Sequence, residues 1–316
     1  MVGRRLLPLF GGFVVGSLTA MQARANGELS NYAGNGIEAA LMNFGSGLVI
    51  VSALVIFLPS VRLGLWSTIR AIEAGKLKWW HLLGGVVGGL FVAVQSTVVP
   101  MIGVAIFTVA VVAGQSANSL VVDRIGLGPA GRKPITIGRV VSAVLAVLAV
   151  TLAAADRFIS GSVAIAAVAM AVIAGLGLAV QQALNGRISI AASSPLAATF
   201  YNFVFGTALL ASAFGLAWAL TDTDPGTILG GPWWAYTGGL VGVFLIGVAA
   251  WSVPIIGVLA FALVSIAGQL SGALLLDVVA PTATTTIGWN LAAGVLLAFV
   301  AVAASSLGRL RPRVGP

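Results

Sequence analysis

Apolar stretches long enough to cross a bilayer take up nearly all of this 316-residue chain. Ten can be drawn, at 6–25, 35–58, 80–99, 101–121, 137–155, 161–183, 196–220, 233–252, 254–276 and 285–305. A helix rises 1.5 Å per residue, so roughly 20 residues span a hydrocarbon core of about 30 Å. Charged residues make up 8% of the chain, where a soluble domain carries about a quarter. The longest connections, 59–79 and 221–232, are too short to hold a soluble domain. The expected fold is therefore an all-α integral membrane protein of ten transmembrane helices, with no separate catalytic or nucleotide-binding module.

The net charge of +8 would suit a nucleic-acid binder by its sum but not by its placement. With the N-terminus in the cytoplasm, fourteen of the sixteen Lys and Arg residues fall on cytoplasmic segments, leaving only Arg24 and Arg157 outside. Basic residues hold loops on the cytoplasmic side in this way. The acids Glu28, Asp156, Asp222, Asp224 and Asp277 collect on the opposite side. Both termini are thus expected in the cytoplasm, in an inner-membrane protein with no nucleic-acid partner. The chain has no cysteine, which removes disulfides, thiolate chemistry and Cys-based metal sites.

The chain also repeats itself. "QARANGELS" from Gln22 returns as "QQALNGRIS" from Gln181, an offset of 185 − 26 = 159 for Asn26 and Asn185. The same offset pairs Asn43 with Asn202, Phe44 with Phe203 and Gly47 with Gly206. "WWHLLGGVVG" from Trp79 matches "WWAYTGGLVG" from Trp233 at an offset of 154. At that offset "VPMIGVAIFTVAVVAGQSANSLVVD" from Val99 matches "VPIIGVLAFALVSIAGQLSGALLLD" from Val253, pairing Gly114-Gln115 with Gly268-Gln269 and Asp123 with Asp277. The chain reads as a duplication, residues 1–158 and 159–316. Five crossings per half force the second half to insert upside down relative to the first.

The duplication decides how the N-terminus is read. "MVGRR", an apolar run and Ala23-Arg24-Ala25 look like a signal peptide with its cleavage site. Residues 6–25 are, however, the counterpart of 165–184, deep inside the chain, so a retained first helix is expected. That helix is expected to end at Gln22 and Asn26-Gly27, as its counterpart ends at Gln181 and Asn185-Gly186. The third and fourth helices of each half meet at Val99-Pro100 and Val253-Pro254 with almost no loop, and a proline there predicts a tight turn.

Polar side chains at membrane depth are the candidate site. Thr108, Gln115 and Asn118 or Ser119 are spaced to share one helix face, as are Ser265 and Gln269. They could tie helices together, at about 0.6 kcal/mol each, or line a cavity. The presence of Gln115 and Gln269 in both halves favours a shared cavity for that pair. Asn43 and Asn202 carry the same two readings, and Gln22, Gln181 and Gln182 read as gates or wet helix caps. Glu38 is the only carboxylate within a span, which invites a proton-coupling role. Its place near a helix N-terminus, where an anion is favourable, and its counterpart Ala197 favour a simple interfacial role. His81, beside Trp79-Trp80, reads as an interface residue, and with no other histidine and no cysteine neither a metal nor a cofactor is expected. Gly84, Gly85, Gly88 and Gly89, with Gly238, Gly239 and Gly242, suit close helix packing or, as a weaker alternative, a homodimer face.

"WWHLLGGVVGGLFV" from Trp79 and "GVAIFTVAVVAGQSANSLVVDRIG" from Gly103, with their second-half partners, resemble the drug/metabolite transporter superfamily in its YdcZ-like, ten-helix form. The resemblance implies a basket of two inverted repeats around a central cavity lined by the first, third and fourth helices of each half. On this chain that favours Gln22, Gln115, Asn118, Gln181 and Gln269 over Asn43 and Asn202. It implies a mechanism and leaves the molecule open. The expectation is a secondary transporter in the bilayer that exports a small neutral or zwitterionic polar solute by alternating access. No acid pair or nucleophile–base set can be assembled, which argues against an enzyme. A structural or pore-forming subunit is the remaining alternative.

Overall fold

The computed structural model describes residues 3–129, 131–132, 134–155, 162–220, 230–245, 248, 258–281 and 288–307, and all regular structure within them is helical. The first half holds α1 (Gly3–Ala33), α2 (Gly36–Phe57), α3 (Pro59–Glu73), α4 (Gly84–Ile102), α5 (Val104–Ile125) and α6 (Ile137–Ala153). The second holds α7 (Ser162–Ala192), α8 (Pro195–Leu220), α9 (Trp233–Leu245), α10 (Val258–Val279) and α11 (Trp289–Leu307). Six segments are long and apolar enough to cross a membrane: Leu6–Ala33, Gly36–Phe57, Trp79–Ile102, Val104–Ile125, Val163–Ala192 and Pro195–Leu220. Val140–Ala153, Trp233–Leu245, Val264–Val279 and Trp289–Ala304 are shorter apolar helices. Large apolar side chains such as Phe10, Val49, Ile56, Ile173 and Trp218 point outward. In a bilayer, where backbone groups must be satisfied within the helix, such an apolar surface is the stable one.

Several boundaries differ from expectation. Neither α1 nor α7 ends at its Asn-Gly pair; they continue to Ala33 and Ala192. Gln22, Asn26, Gln181 and Asn185 therefore lie inside helices and not at their ends. The α4–α5 break is not at Val99-Pro100 either. Pro100 sits in the last turn of α4, and the chain turns at Gly103, whose φ of 83° and ψ of 163° suit only glycine. The 59–79 connection holds a helix of its own, α3. Val61, Gly64 and Thr68 face inward, while Leu63, Trp66 and Ile69 are exposed beside Arg62 and Arg70. An apolar face rimmed by Arg, with a Trp in it, suits a helix lying in the membrane interface.

The turns that join the first two helices of each half are built alike. Gly34 (φ 77°) precedes Asn35, whose Oδ1 accepts the Glu38 N–H at 2.7 Å. At the offset of 159, Ser193 (φ 49°) precedes Ser194, whose Oγ accepts the Ala197 N–H at 3.3 Å. A side-chain oxygen at the N-cap satisfies a donor the helix cannot.

The same equivalence governs the contacts between halves. A Cβ on Gly16 would run into the Ser265 carbonyl oxygen, and one on Gly175 into that of Val111. A Cβ on Gly268 would meet the Phe13 carbonyl, and one on Gly114 that of Val172. Each pair maps onto the other by the two offsets. α1 thus lies backbone to backbone on α10, and α7 on α5. Phe13 against Gly268 and Ser17 against Gly272 show that α1 and α10 run parallel. Gly47 faces the Phe203 ring and Gly206 the Phe44 ring, with the two rings 5.1 Å apart at the α2–α8 crossing. Small residues at such crossings let helices approach closely, and in lipid that close packing is a main source of cohesion.

α5 is buried continuously from Val104 to Gly114. Both of its ends are held by charged side chains of the second half. The buried Asp277 carboxylate accepts the N–H groups of Val104 (3.3 Å) and Ala105 (2.8 Å). Arg187 donates to the carbonyls of Leu127 (2.6 Å) and Gly126 (2.7 Å) at the other end. An anion at the N-terminus and a cation at the C-terminus complement the helix dipole.

Candidate functional site

Two groups of side-chain amides occupy equivalent places in the two halves. In the first, Gln22 and Asn26 lie one turn apart on α1, and Asn43 faces them from α2. Asn26 is fully buried and acts as a hub, its Nδ2 donating to Gln95 Oε1 on α4 (2.7 Å) and its Oδ1 accepting from Asn43 Nδ2 (2.5 Å). Gln22 Nε2 donates to the Gly238 carbonyl at 2.6 Å. The glycines of α9 make this possible, because a Cβ on Gly238 would occupy the space of the Asn43 and Asn26 amides. A cavity of about 50 Å³ beside Asn43, Ser46, Tyr236 and Gly238 has room for water and not for a metabolite.

In the second half Gln181 and Asn185 lie one turn apart on α7, and Asn202 faces them from α8. All three press on the bare backbone of α4. A Cβ on Gly88 would collide with the Gln181 amide nitrogen and lie 2.9 Å from Asn202 Oδ1, and one on Gly84 would lie 2.9 Å from Asn185 Oδ1. Here the hydrogen bonds are not closed. Gln181 Oε1, Asn185 Oδ1 and Asn202 Nδ2 are buried with no partner. The Asn202-to-Asn185 bond that would mirror Asn43-to-Asn26 is not made. Gln95 has no second-half equivalent, since position 249 is alanine. An unsatisfied buried donor or acceptor costs about 1–3 kcal/mol, so a polar group that paired with this cluster would gain by it.

The remaining candidates are distributed over the contacts between halves. Gln115 Nε2 donates to Gln182 Oε1 at 2.9 Å, and Gln269 lies where α10 meets Gly16 of α1. Among the described residues no hydrogen bond joins Gln115 to Gln269. Asn118 Nδ2 donates to the Leu176 carbonyl (2.7 Å), and Ser265 Oγ to that of Gly12 (3.1 Å), so both tie helices of opposite halves. Thr108 is buried within α5. Sequence reasoning used Asn26 and Asn185 only as markers of the repeat and passed over Gln95. The one-turn spacing of Gln22 with Asn26, and of Gln181 with Asn185, was the available signal for the first two.

Glu38, in the first turn of α2, is only 1% exposed. It completes the cap of α2: Asn35 Nδ2 donates to its Oε2 at 3.3 Å, while Oε1 is buried without a partner. Asn35→Ala should lower stability by about 1 kcal/mol, whereas Glu38→Gln keeps an oxygen that can accept from Asn35 Nδ2 and should change stability little. Thermal unfolding of the two purified variants checks the pair. His81 is buried in the short helical turn Trp79–Leu83 that precedes α4, its Nδ1 accepting the Lys78 N–H at 3.0 Å and its ring 4.1 Å from that of Trp80. Among the described residues no group of three or more His, Asp or Glu side chains could hold a metal ion.

Two segments, residues 7–152 and 166–304, match the model of a protein family, DMT_YdcZ, described as a proposed inner membrane exporter, YdcZ. No curated protein matches the chain.

Proposed function

We propose, because this chain belongs to the YdcZ family of inner membrane exporters, that it moves a small polar solute outward by alternating access between two inverted five-helix repeats, residues 1–158 and 159–316. In this reading the chain crosses the membrane ten times, with α3 lying on the cytoplasmic surface and both termini in the cytoplasm. The observation that carries it is the mirrored set of glycine contacts, in which α1 meets α10 as α7 meets α5. Two matching surfaces related in this way give a natural pair of states, one opening to each side. The parallel run of α1 and α10 fits their being the first and ninth crossings.

The solute path lies between the two amide groups, with Gln22, Asn43, Gln181 and Asn202 on it and Gln115, Gln269 and Asn118 at its margin. No Lys, Arg, Asp or Glu side chain belongs to either group, which supports an uncharged or zwitterionic solute over an ion, since an unpaired charge in such a site is costly. Glu38 is assigned to the α2 cap and not to coupling. The test is efflux from vesicles that contain only the purified protein and are loaded with a defined mixture of amino acids, amides and polyols. Saturable loss of a few members is expected. Loss no faster than from protein-free vesicles, for every member, would reject the exporter.

A further inference from the structure

We propose that Gln181, Asn185 and Asn202, set against Gly84 and Gly88, form the recognition site for the exported solute, and that the group they recognise is an uncharged primary carboxamide. The proposal rests on the exporter reading and adds to it a position and a chemical class. Its ground is a mismatch between otherwise equivalent clusters. In the first half Asn26 Oδ1 and Asn43 Nδ2 bond each other, while their counterparts Asn185 Oδ1 and Asn202 Nδ2 are buried and unbonded, as is Gln181 Oε1.

The open valences define the ligand. Two are carbonyl acceptors and one is an N–H donor. A primary carboxamide offers two N–H donors and one carbonyl acceptor, matching all three. A carboxylate only accepts, so it could satisfy Asn202 alone, and it would bring a charge with no cation to meet it. Arg187, two residues along α7, is committed to the carbonyls at the end of α5. An ammonium only donates, and would leave Asn202 Nδ2 unpaired. The three atoms are shut off from solvent in this conformation, so the carboxamide enters in another state of the cycle, as alternating access requires. Gly84 and Gly88 matter because a methyl group at either would take the space in which the amides meet α4.

The test measures efflux of two nearly isosteric pairs, glutamine with glutamate and asparagine with aspartate, from vesicles holding the full-length protein. Wild type should release the amide of each pair at least about tenfold faster than the acid, since a site built to hydrogen-bond a group rejects the analogue that cannot. Gln181→Leu/Asn185→Leu, which removes the two acceptors that only the amide can satisfy, and Gly88→Ala, which fills the contact, should each reduce the ratio to within about twofold. Equal release of amide and acid by wild type, or a ratio that survives both variants, overturns the assignment. Efflux of other solutes without amide preference overturns it while leaving the exporter in place. Absence of efflux for every solute overturns both.

Discussion

Gly175→Leu should leave little folded protein, and Gly16→Leu should do the same. Each side chain would be driven into a backbone carbonyl on a facing helix, Val111 on α5 for Gly175 and Ser265 on α10 for Gly16. A backbone cannot rotate aside as a side chain can, so the helices must separate. Overpacking of a well-packed interior typically costs 1–3 kcal/mol, and here roughly 3 kcal/mol or more is expected. Because the two contacts are equivalent, the two variants should suffer alike. Gly45 is the control, with nothing within 4 Å of a Cβ. Gly45→Ala should therefore be neutral or stabilising by up to about 1 kcal/mol, the helix-propensity difference between the two residues. Thermal unfolding of the detergent-purified variants reads all three, and a Gly175→Leu protein that melts like wild type would remove the glycine contacts as the basis of the interface.

The second large effect is expected at Asn26. Asn26→Leu orphans Gln95 Oε1 and Asn43 Nδ2 together, both buried, for a cost on the order of 2 kcal/mol. The equivalent Asn185→Leu removes an oxygen that has no partner, and should cost clearly less. In Asn26→Leu/Gln95→Leu one of the two orphans is gone, so the double variant should be more stable than the sum of the single changes predicts. Equal losses at Asn26 and Asn185 would mean that the two clusters are satisfied alike.

The all-helical, apolar character of the fold was legible in one-dimensional signals. Apolar length marks a helix for lipid wherever it occurs, and the two fixed offsets can be read without knowledge of any contact. Helix ends were harder to read, because a polar residue looks like a terminus until its partners are known. Asn26-Gly27 reads as the end of α1, yet Asn26 is wholly buried mid-helix because Gln95 and Asn43 satisfy it. Pro100 reads as a turn, but a proline in a last turn is tolerable when the next break, at Gly103, supplies the φ that only glycine adopts freely. α3 was hidden because its exposed apolar residues and arginines resemble a loop when only bilayer-length runs are sought.

The candidate site was legible in part for a related reason. Symmetry pointed to Gln115 and Gln269, and it also led to Gln22, Asn43, Gln181 and Asn202. The feature that distinguishes the two clusters is asymmetric: Gln95 faces Asn26, and alanine stands at the equivalent position 249. A search for what repeats discards such a residue. Asp277 and Arg187 were visible as charges that orient loops, but their attachment to the two ends of α5 depends on packing between halves that no local pattern reveals.

The central claim is that the halves enter the membrane in opposite directions, and the absence of cysteine from the chain makes a direct measurement simple. Asn31 and Ile190 are equivalent at the offset of 159, and both are exposed at the ends of their helices. Asn31→Cys and Ile190→Cys, each the sole thiol, would be treated in intact cells and in inside-out vesicles with a thiol reagent that cannot cross the bilayer. The account predicts that position 31 reacts only from outside the cell and position 190 only from the cytoplasmic side. Labelling of both from the same side would contradict it.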